Sequence, residues 1–109
     1  MTISDKIKVG GKTYKVIYPY NYRERNDRIA HCDTLLDEIM TGQDDGNGNK
    51  RTDANIAITL IHEVLHAIDF DTGHKIFAEN ESAMEGISHG IYQVLVDNPQ
   101  FLELLKEAR

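Results

Sequence analysis

The sequence is poor in cysteine, proline and tryptophan: its 109 residues include one, two and none of them, respectively. A single thiol, Cys32, cannot form a disulfide within the chain, and no second cysteine is present for a CxxC redox motif. A disulfide-stabilised scaffold is therefore excluded, and the lone thiol agrees with a reducing compartment. We expect Cys32 to act as a small, half-buried apolar residue.

Basic clusters and long apolar runs are also missing. Lys and Arg total 12 against 18 Asp and Glu, and the resulting net charge of −6 disfavours nucleic acid as a partner. No apolar run reaches the length of a membrane span, and Met1–Lys6 lacks the apolar core of a signal peptide. We expect a cytoplasmic protein without a membrane partner, folded as a single domain over residues 1–109.

The first forty residues have the alternating pattern of strands. Lys6–Val9 and Thr13–Tyr18 flank Gly10-Gly11, a pair that is typical of a hairpin turn. The apolar segment Ile29–Met40 is ambiguous on periodicity alone. We expect a strand over part of it, because a sheet of two strands is marginally stable, and a helix from Asp27 to Met40 is the alternative.

A loop and two helices are predicted to follow. Residues 41–50 are rich in Gly, Asn and Asp, which predicts a plain loop, and their spacing does not fit a calcium-binding EF-hand. A helix then runs through Ala54–Ile68, with Thr52 or Asp53 as its N-cap and Gly73 beyond its end. Apolar residues surround nearly its whole circumference, which predicts a helix buried at the centre of the domain.

A second helical pattern begins near residue 80 and carries an apolar stripe at 3.6-residue spacing. Pro99 interrupts the pattern and suits the first turn of a short C-terminal helix, Phe101–Ala108. The segments together predict an α+β fold, with a small, twisted, mainly antiparallel sheet packed on the helices. The residues of the stripe are Met84, Ile87, Ile91, Val94 and Leu95.

The first helix contains the segment His62-Glu63-Val64-Leu65-His66, an HExxH motif. Shuffling this composition would produce the motif in roughly one or two per cent of cases, so chance is a poor explanation. Positions i and i+4 share one helix face, and both imidazoles therefore reach one metal ion. Without a metal, three polar groups would be buried in an apolar helix and would need other partners. The motif predicts a zinc site with Glu63 beside it as a general base.

A third protein ligand is expected elsewhere in the chain, because catalytic zinc normally has three. Glu81 lies near the apolar stripe of the second helix and could complete the site, while Glu85 could accept a hydrogen bond from an imidazole. The alternative for both, and for Glu79, is a solvated helix N-terminus. Asp69 is a further alternative ligand if the first helix ends there, whereas His74 and a metzincin pattern fit less well.

A family resemblance supports the choice of Glu81. Asn80-Glu81 with an acid at Glu85 resembles the N-E-x-x-x-D/E element of gluzincins, the thermolysin-like metallopeptidases. The runs Thr59–Ile68 and Gly90–Pro99 also look like small metallopeptidases of phages and prophages, distantly related to SprT-like and ImmA/IrrE-type proteins. The resemblance implies a minimal zincin-like core of the scale of minigluzincins, with His62, His66 and Glu81 as Zn²⁺ ligands. It also implies that Glu85 orients a ligand.

The predicted function is that of a zinc-dependent endopeptidase acting on a peptide or protein substrate. Glu63 would be the general base. By the same resemblance, an edge strand within Leu35–Met40 would bind the substrate backbone. Tyr92, a few turns beyond Glu81, and His89 are the candidates for stabilising the oxyanion. The alternative is a non-catalytic, zinc-stabilised or latent interaction module of phage origin, because so short a chain offers little room for a cleft. The oligomeric state is open.

Overall fold

The fold combines a four-stranded sheet with three helices over the part of the chain that the structure describes. The structure is a computed structural model, and it describes residues 2–20, 29–77 and 80–109. The predicted α+β class is confirmed. In chain order, the elements are β1 (Lys6–Val9), β2 (Lys12–Ile17), β3 (Ala30–Asp33), β4 (Glu38–Thr41), α1 (Asp53–Thr72), α2 (Glu81–Asp97) and α3 (Pro99–Ala108).

The sheet has the strand order β1-β2-β4-β3 and is mainly antiparallel. β1 and β2 form the predicted hairpin, in which Val9 pairs with Lys12 across Gly10-Gly11. β3 and β4 form a second antiparallel hairpin, and β4 pairs with β2 in parallel. β4 is therefore an inner strand, while β1 and β3 lie at the two edges.

Gly10 is required by the first hairpin for two reasons. Its φ of +59° lies in the left-handed region, which residues with a Cβ rarely adopt. A Cβ at this position would also lie 2.1 Å from Asp71 Oδ2, near the end of α1. The neighbouring Gly11 has open space around it. The close approach of the turn to α1 therefore depends on Gly10.

The segment Ile29–Met40 contains two strands rather than the one expected, and the alternative of a helix is wrong over its described part. Asp27, where that helix would begin, lies outside the described residues. The turn between the strands is held by Asp33, whose Oδ1 accepts the backbone N–H of Leu35 at 2.9 Å and of Leu36 at 3.0 Å. Asp33 is a turn-forming residue type, but the turn also contains two leucines and neither Gly nor Pro, so its sequence signal is weak.

The main core lies between the sheet and α1. α1 packs over β3 and β4 and also contacts β1. On the opposite face of the sheet, Tyr20 and Met40 form a smaller buried cluster with Ile17. The main cluster comprises buried Val9, Tyr14, Ile39 and Ala67, with the partly buried Ile7, Cys32, Leu60 and Val64 packed against it.

α1 begins at the predicted cap and extends to Thr72, about one turn further than expected, so that Gly73 caps the helix directly. The Thr52 hydroxyl accepts the backbone N–H of Asn55 at 3.2 Å, and the helix closes at Gly73, which has a φ of +73°. The prediction that α1 is buried around its whole circumference is wrong for the last turns, because Ile68 and Phe70 are exposed. α1 has the sheet on one side and α2 on another, which leaves part of its surface uncovered.

The apolar stripe of α2 is only partly buried. Met84 is fully buried, but Ile87 and Val94 are exposed, and Ser88 takes a buried position instead. Ser88 can do so because its hydroxyl donates to the carbonyl oxygen of Met84 at 2.8 Å. α3 has no buried residue and packs on α2. None of the described helices is both long and apolar enough to cross a bilayer.

The segment after β4 is a loop, as predicted. Its turns are made by two aspartates: Asp44 Oδ1 accepts the backbone N–H of Gly46, and Asp45 Oδ1 accepts those of Asn47 and Asn49. Asp45 Oδ2 also accepts from the side-chain amide of Asn49. These local bonds account for the Asp- and Asn-rich composition of the loop without a cation.

Candidate metal centre

The two imidazoles of the HExxH motif project from one face of α1 towards α2. His62 is buried, with 8% of its surface exposed, and His66 is half-buried. Their ring centroids lie 5.0 Å apart, which agrees with an i, i+4 pair on a regular helix. The motif therefore presents two nitrogen donors side by side, as its spacing predicts.

The carboxylate of Glu81 lies against both imidazoles. Its Oε2 is 3.0 Å from His62 Nε2, and its Oε1 is 3.2 Å from His66 Nε2. Glu81 is the first residue of α2, so the packing of α2 on α1 brings a carboxylate from a separate element to the motif. The same nitrogen of each ring thus faces one shared carboxylate.

Glu85 lies one turn further along α2, on the other side of the His62 ring. Its Oε1 is 2.6 Å from His62 Nδ1, although this contact lacks the alignment of a hydrogen bond, and Nδ1 is a buried polar atom without an aligned partner. Glu85 Oε2 is 3.7 Å from His89 Nε2. A carboxylate at the second ring nitrogen is the arrangement that orients metal-bound histidines.

Glu63 is buried beside the two histidines, with 6% of its surface exposed. One ligand atom from each of His62, Glu63 and His66 can be chosen so that all three lie within 4.8 Å of one another. The carboxylate of Glu81 lies beside the same imidazoles, with one oxygen facing the Nε2 atom of each.

Burial sets the protonation of two groups at the site. Desolvation lowers the pKa of His66 below 6.5, against the smaller opposing effect of the Glu81 charge. His66 is therefore mainly neutral at pH 7 and has a lone pair to donate. Desolvation, reinforced by the negative charge of Glu63, raises the pKa of Cys32 from 9.0 to about 12. Cys32 is thus a protonated, half-buried thiol, as expected.

A cleft of about 1210 Å³ opens at the histidines. The sequence suggested little room for a cleft in so short a chain, and the space is found at the surface, between elements, rather than inside the domain. The elements that meet there are β3, the C-terminal half of α1 and the start of α2. The lining residues that belong to the motif or to its surroundings are His62, Glu63, His66, Asp69, Glu81 and Cys32.

The predicted position of the edge strand is wrong. The edge strand is not within Leu35–Met40, because Leu35 lies in an exposed turn and Glu38–Thr41 is the inner strand β4. The edge beside the cleft is β3. His89 and Tyr92, the candidate oxyanion stabilisers, are not among the described residues that line the cleft, and His89 Nε2 lies 3.7 Å from Glu85 Oε2. Their role at an oxyanion stays a prediction.

Asp69 is held by backbone groups rather than directed at the histidines. Its carboxylate accepts the N–H groups of Ile76 and Phe77, which explains its burial near the end of α1. α1 also continues to Thr72, so the condition under which Asp69 would be a ligand is not met. His74 is exposed, and Glu79 lies outside the described residues.

Several cleft residues have no sequence signal that could have identified them. His31 and Thr34 reach the cleft from β3 and the turn after it, and Phe70 and Lys75 from the end of α1 and the segment beyond. None of them belongs to a spaced motif, and their positions depend on how β3 packs beside α1. They could be found only from the tertiary structure.

Comparisons of the chain with protein-family models, with curated proteins and with solved structures gave no match. The assignment of a function therefore depends on the contacts of the site residues themselves. Those contacts bring the two imidazoles of the motif and the carboxylate of Glu81 together beside an open cleft.

Proposed function

We propose that the chain is a zinc-dependent metallopeptidase that hydrolyses internal peptide bonds. The observation that carries the proposal is the contact of one carboxylate, Glu81, with the Nε2 atoms of both His62 and His66. The resemblance of Asn80-Glu81 to the gluzincin element is consistent with that contact. The lone thiol Cys32 agrees with a cytoplasmic location.

The residues of the site fit Zn²⁺. Two imidazoles and one carboxylate form the donor set of many catalytic zinc sites, and a buried His62 Nδ1 without an aligned partner is a group that ligand orientation by Glu85 would satisfy. We assign His62, His66 and Glu81 as the ligands. When bound, Zn²⁺ would supply a Lewis acid that polarises a carbonyl and acidifies water.

Glu63 has the position of a general base in this proposal. Its carboxylate is buried and belongs to the HExxH motif, which supports its role in proton transfer. The contact of Glu81 with both Nε2 atoms supports its role as a metal ligand. Glu63 would accept a proton from the attacking water and return it to the leaving amine. Glu85 would hold the His62 ring in one orientation.

The substrate is proposed to be an extended peptide lying along β3. Among the described strands, β3 pairs with β4 on one side and is the last strand of the sheet on the other, and strand addition at that second edge is the proposed mode of binding. The cleft beside it carries apolar Ile29, Ala30 and Phe70. Because this cleft is open at the histidines, a substrate could reach them, which supports hydrolysis over the alternative of a closed, non-catalytic zinc module.

The first test is the metal content of the purified protein. We expect one zinc per chain in the wild type and none in His62→Ala. His74→Ala is the matched control, because this exposed imidazole lies on the same stretch of chain but outside the site. Equal zinc in the wild type and in His62→Ala would contradict the proposed site.

The second test separates the peptidase from the non-catalytic module. Glu63→Gln keeps the size of the side chain, but an amide cannot accept the proton from water. We therefore expect the zinc content to persist while cleavage of a mixed peptide library falls by about 10²-fold or more. Equal cleavage by both proteins would refute Glu63 as the base. A wild type that holds zinc but cleaves no peptide or protein would favour the module.

A further inference from the structure

A buried carboxylate one turn beyond the motif ties the end of α1 to the segment that follows it. Asp69 Oδ1 accepts the backbone N–H of Ile76 at 2.7 Å, and Oδ2 accepts that of Phe77 at 3.1 Å. Only 7% of Asp69 is exposed. Charge-assisted bonds to two backbone donors are among the stronger hydrogen bonds of proteins, so this attachment holds the segment closely.

The hydrogen bonds continue from this segment to the start of α2. The carbonyl oxygen of Phe77 accepts the N–H of Asn80 at 3.1 Å, and Asn80 Oδ1 accepts the N–H of Ala83 at 3.0 Å as the N-cap of α2. Glu81 is the first residue after that cap. A series of hydrogen bonds thus leads from Asp69 to the residue that contacts both imidazoles.

The backbone of the same segment has an unfavourable conformation. Lys75 has a φ of +55°, a left-handed value that is uncommon for a residue with a long side chain. Such conformations persist where the surroundings determine the path of the chain. Here the path of the chain after Lys75 is fixed by the hydrogen bonds that the backbone N–H groups of Ile76 and Phe77 donate to Asp69.

We propose that Asp69 is a positioning residue for the metal centre. By holding Ile76 and Phe77 it sets where α2 begins, and it thereby brings the Glu81 carboxylate to His62 and His66. Successive residues of a helix differ by about 100° around its axis, so a slip of one residue would carry Glu81 away from both rings. The inference rests on the proposed function, since it concerns the same site.

The test uses Co²⁺ as the probe, because its visible absorption reports the ligands. Asp69→Asn keeps the shape of the side chain but loses the charge and one acceptor. We expect the dissociation constant for Co²⁺ to rise about tenfold or more and the absorption spectrum to change. Asp71→Asn is the matched control, since Asp71 is an exposed aspartate on the same helix, and we expect it to bind Co²⁺ as the wild type does.

A double-mutant cycle distinguishes positioning from a general loss of stability. If Asp69 acts through Glu81, then Asp69→Asn should have little further effect on Co²⁺ affinity once Glu81→Ala is present. Additive effects of the two substitutions would overturn the inference. If Asp69→Asn does not fold, Asn80→Ala replaces it in the cycle. This substitution removes the exposed cap residue and so breaks the last bond of the same series. Unchanged Co²⁺ binding in Asn80→Ala would then overturn the inference.

A metal-free measurement keeps this inference separate from the proposed function. A wild type that binds no Co²⁺ would refute the proposed metal centre. Amide hydrogen exchange at Ile76, Phe77 and Asn80 would still decide whether Asp69 holds the segment. We expect faster exchange at these amides in Asp69→Asn than in Asp71→Asn, and equal exchange would overturn the role of Asp69.

Discussion

At the scale of single residues, His62 lies between two carboxylates of α2. Glu81 faces its Nε2 at 3.0 Å and Glu85 faces its Nδ1 at 2.6 Å. The two acids are one helical turn apart, so a single helix places them on both sides of one ring. Carboxylates on both sides restrict the rotation of this ring, which reduces the conformational entropy lost on coordination.

The role of Glu85 leads to a prediction about metal affinity. Glu85→Ala removes the group beside His62 Nδ1 while leaving the three proposed ligands in place. We expect the dissociation constant for Zn²⁺ to increase by roughly 10- to 100-fold, measured by competition with a chromophoric chelator. Glu107→Ala, an exposed glutamate on α3, is the control. Unchanged affinity in Glu85→Ala would mean that the 2.6 Å contact does not orient His62.

The raised pKa of Cys32 predicts that its thiol reacts slowly with alkylating reagents. With a pKa of about 12 instead of 9.0, the thiolate fraction at pH 8 is lower by roughly a thousandfold, and only the thiolate is a nucleophile. We expect alkylation of the native protein by iodoacetamide to be slower than that of the unfolded protein by about this factor. Similar rates in the two states would indicate that Cys32 is neither desolvated nor influenced by Glu63.

At the scale of elements, the first hairpin and α1 are connected through one close contact. Gly10 approaches Asp71, so the turn between β1 and β2 lies against the last turn of α1. The turn residue therefore affects both the local conformation of the hairpin and its packing on the helix. Gly11, in the same turn, has neither constraint, so substitutions at the two glycines can be compared within one turn.

We predict that Gly10→Ala destabilises the protein and that Gly11→Ala does not. Alanine at a φ of +59° is strained, and Asp71 must also move, so the expected loss in the free energy of unfolding is about 1–3 kcal/mol. For Gly11→Ala we expect a change within about 0.5 kcal/mol. Urea denaturation of the three proteins measures both values. Equal losses would show that the turn differs from the one described.

At the scale of the whole molecule, the site joins parts of the chain that are far apart in sequence. α1 supplies His62, Glu63 and His66, α2 supplies Glu81 and Glu85, and β3 forms a wall of the cleft. A metal ion held by both helices would link α1 to α2 in the folded state. Binding to the folded chain alone stabilises it by mass action, so metal and folding are thermodynamically coupled.

We therefore predict that Zn²⁺ raises the thermal stability of the whole domain. At a free concentration one hundred times the dissociation constant, the gain is about 2.7 kcal/mol, which corresponds to a rise in Tm of roughly 10 °C for a domain of this size. Calorimetry with Zn²⁺ or with EDTA tests this value. His62→Ala should show no rise, and an equal rise in His62→Ala would place the binding elsewhere.

Sequence alone determined the features that depend on neighbours along the chain. The caps of α1 at Thr52 and Gly73, the hairpin turn at Gly10-Gly11 and the shared face of His62 and His66 follow from local backbone geometry. A regular helix brings side chains at positions i and i+4 close together, so the proximity of the two imidazoles needs no tertiary contact. These predictions could therefore be made from residue types and their spacing.

The tertiary structure decided what depends on packing between distant segments. It made β4 an inner strand and β3 an edge, divided Ile29–Met40 into two strands, and left Ile87 and Val94 exposed. The contact of Glu81 with both imidazoles also depends on how α2 packs on α1. Strand order and helix docking are set by the burial of many side chains at once, and no single spacing in the sequence encodes them.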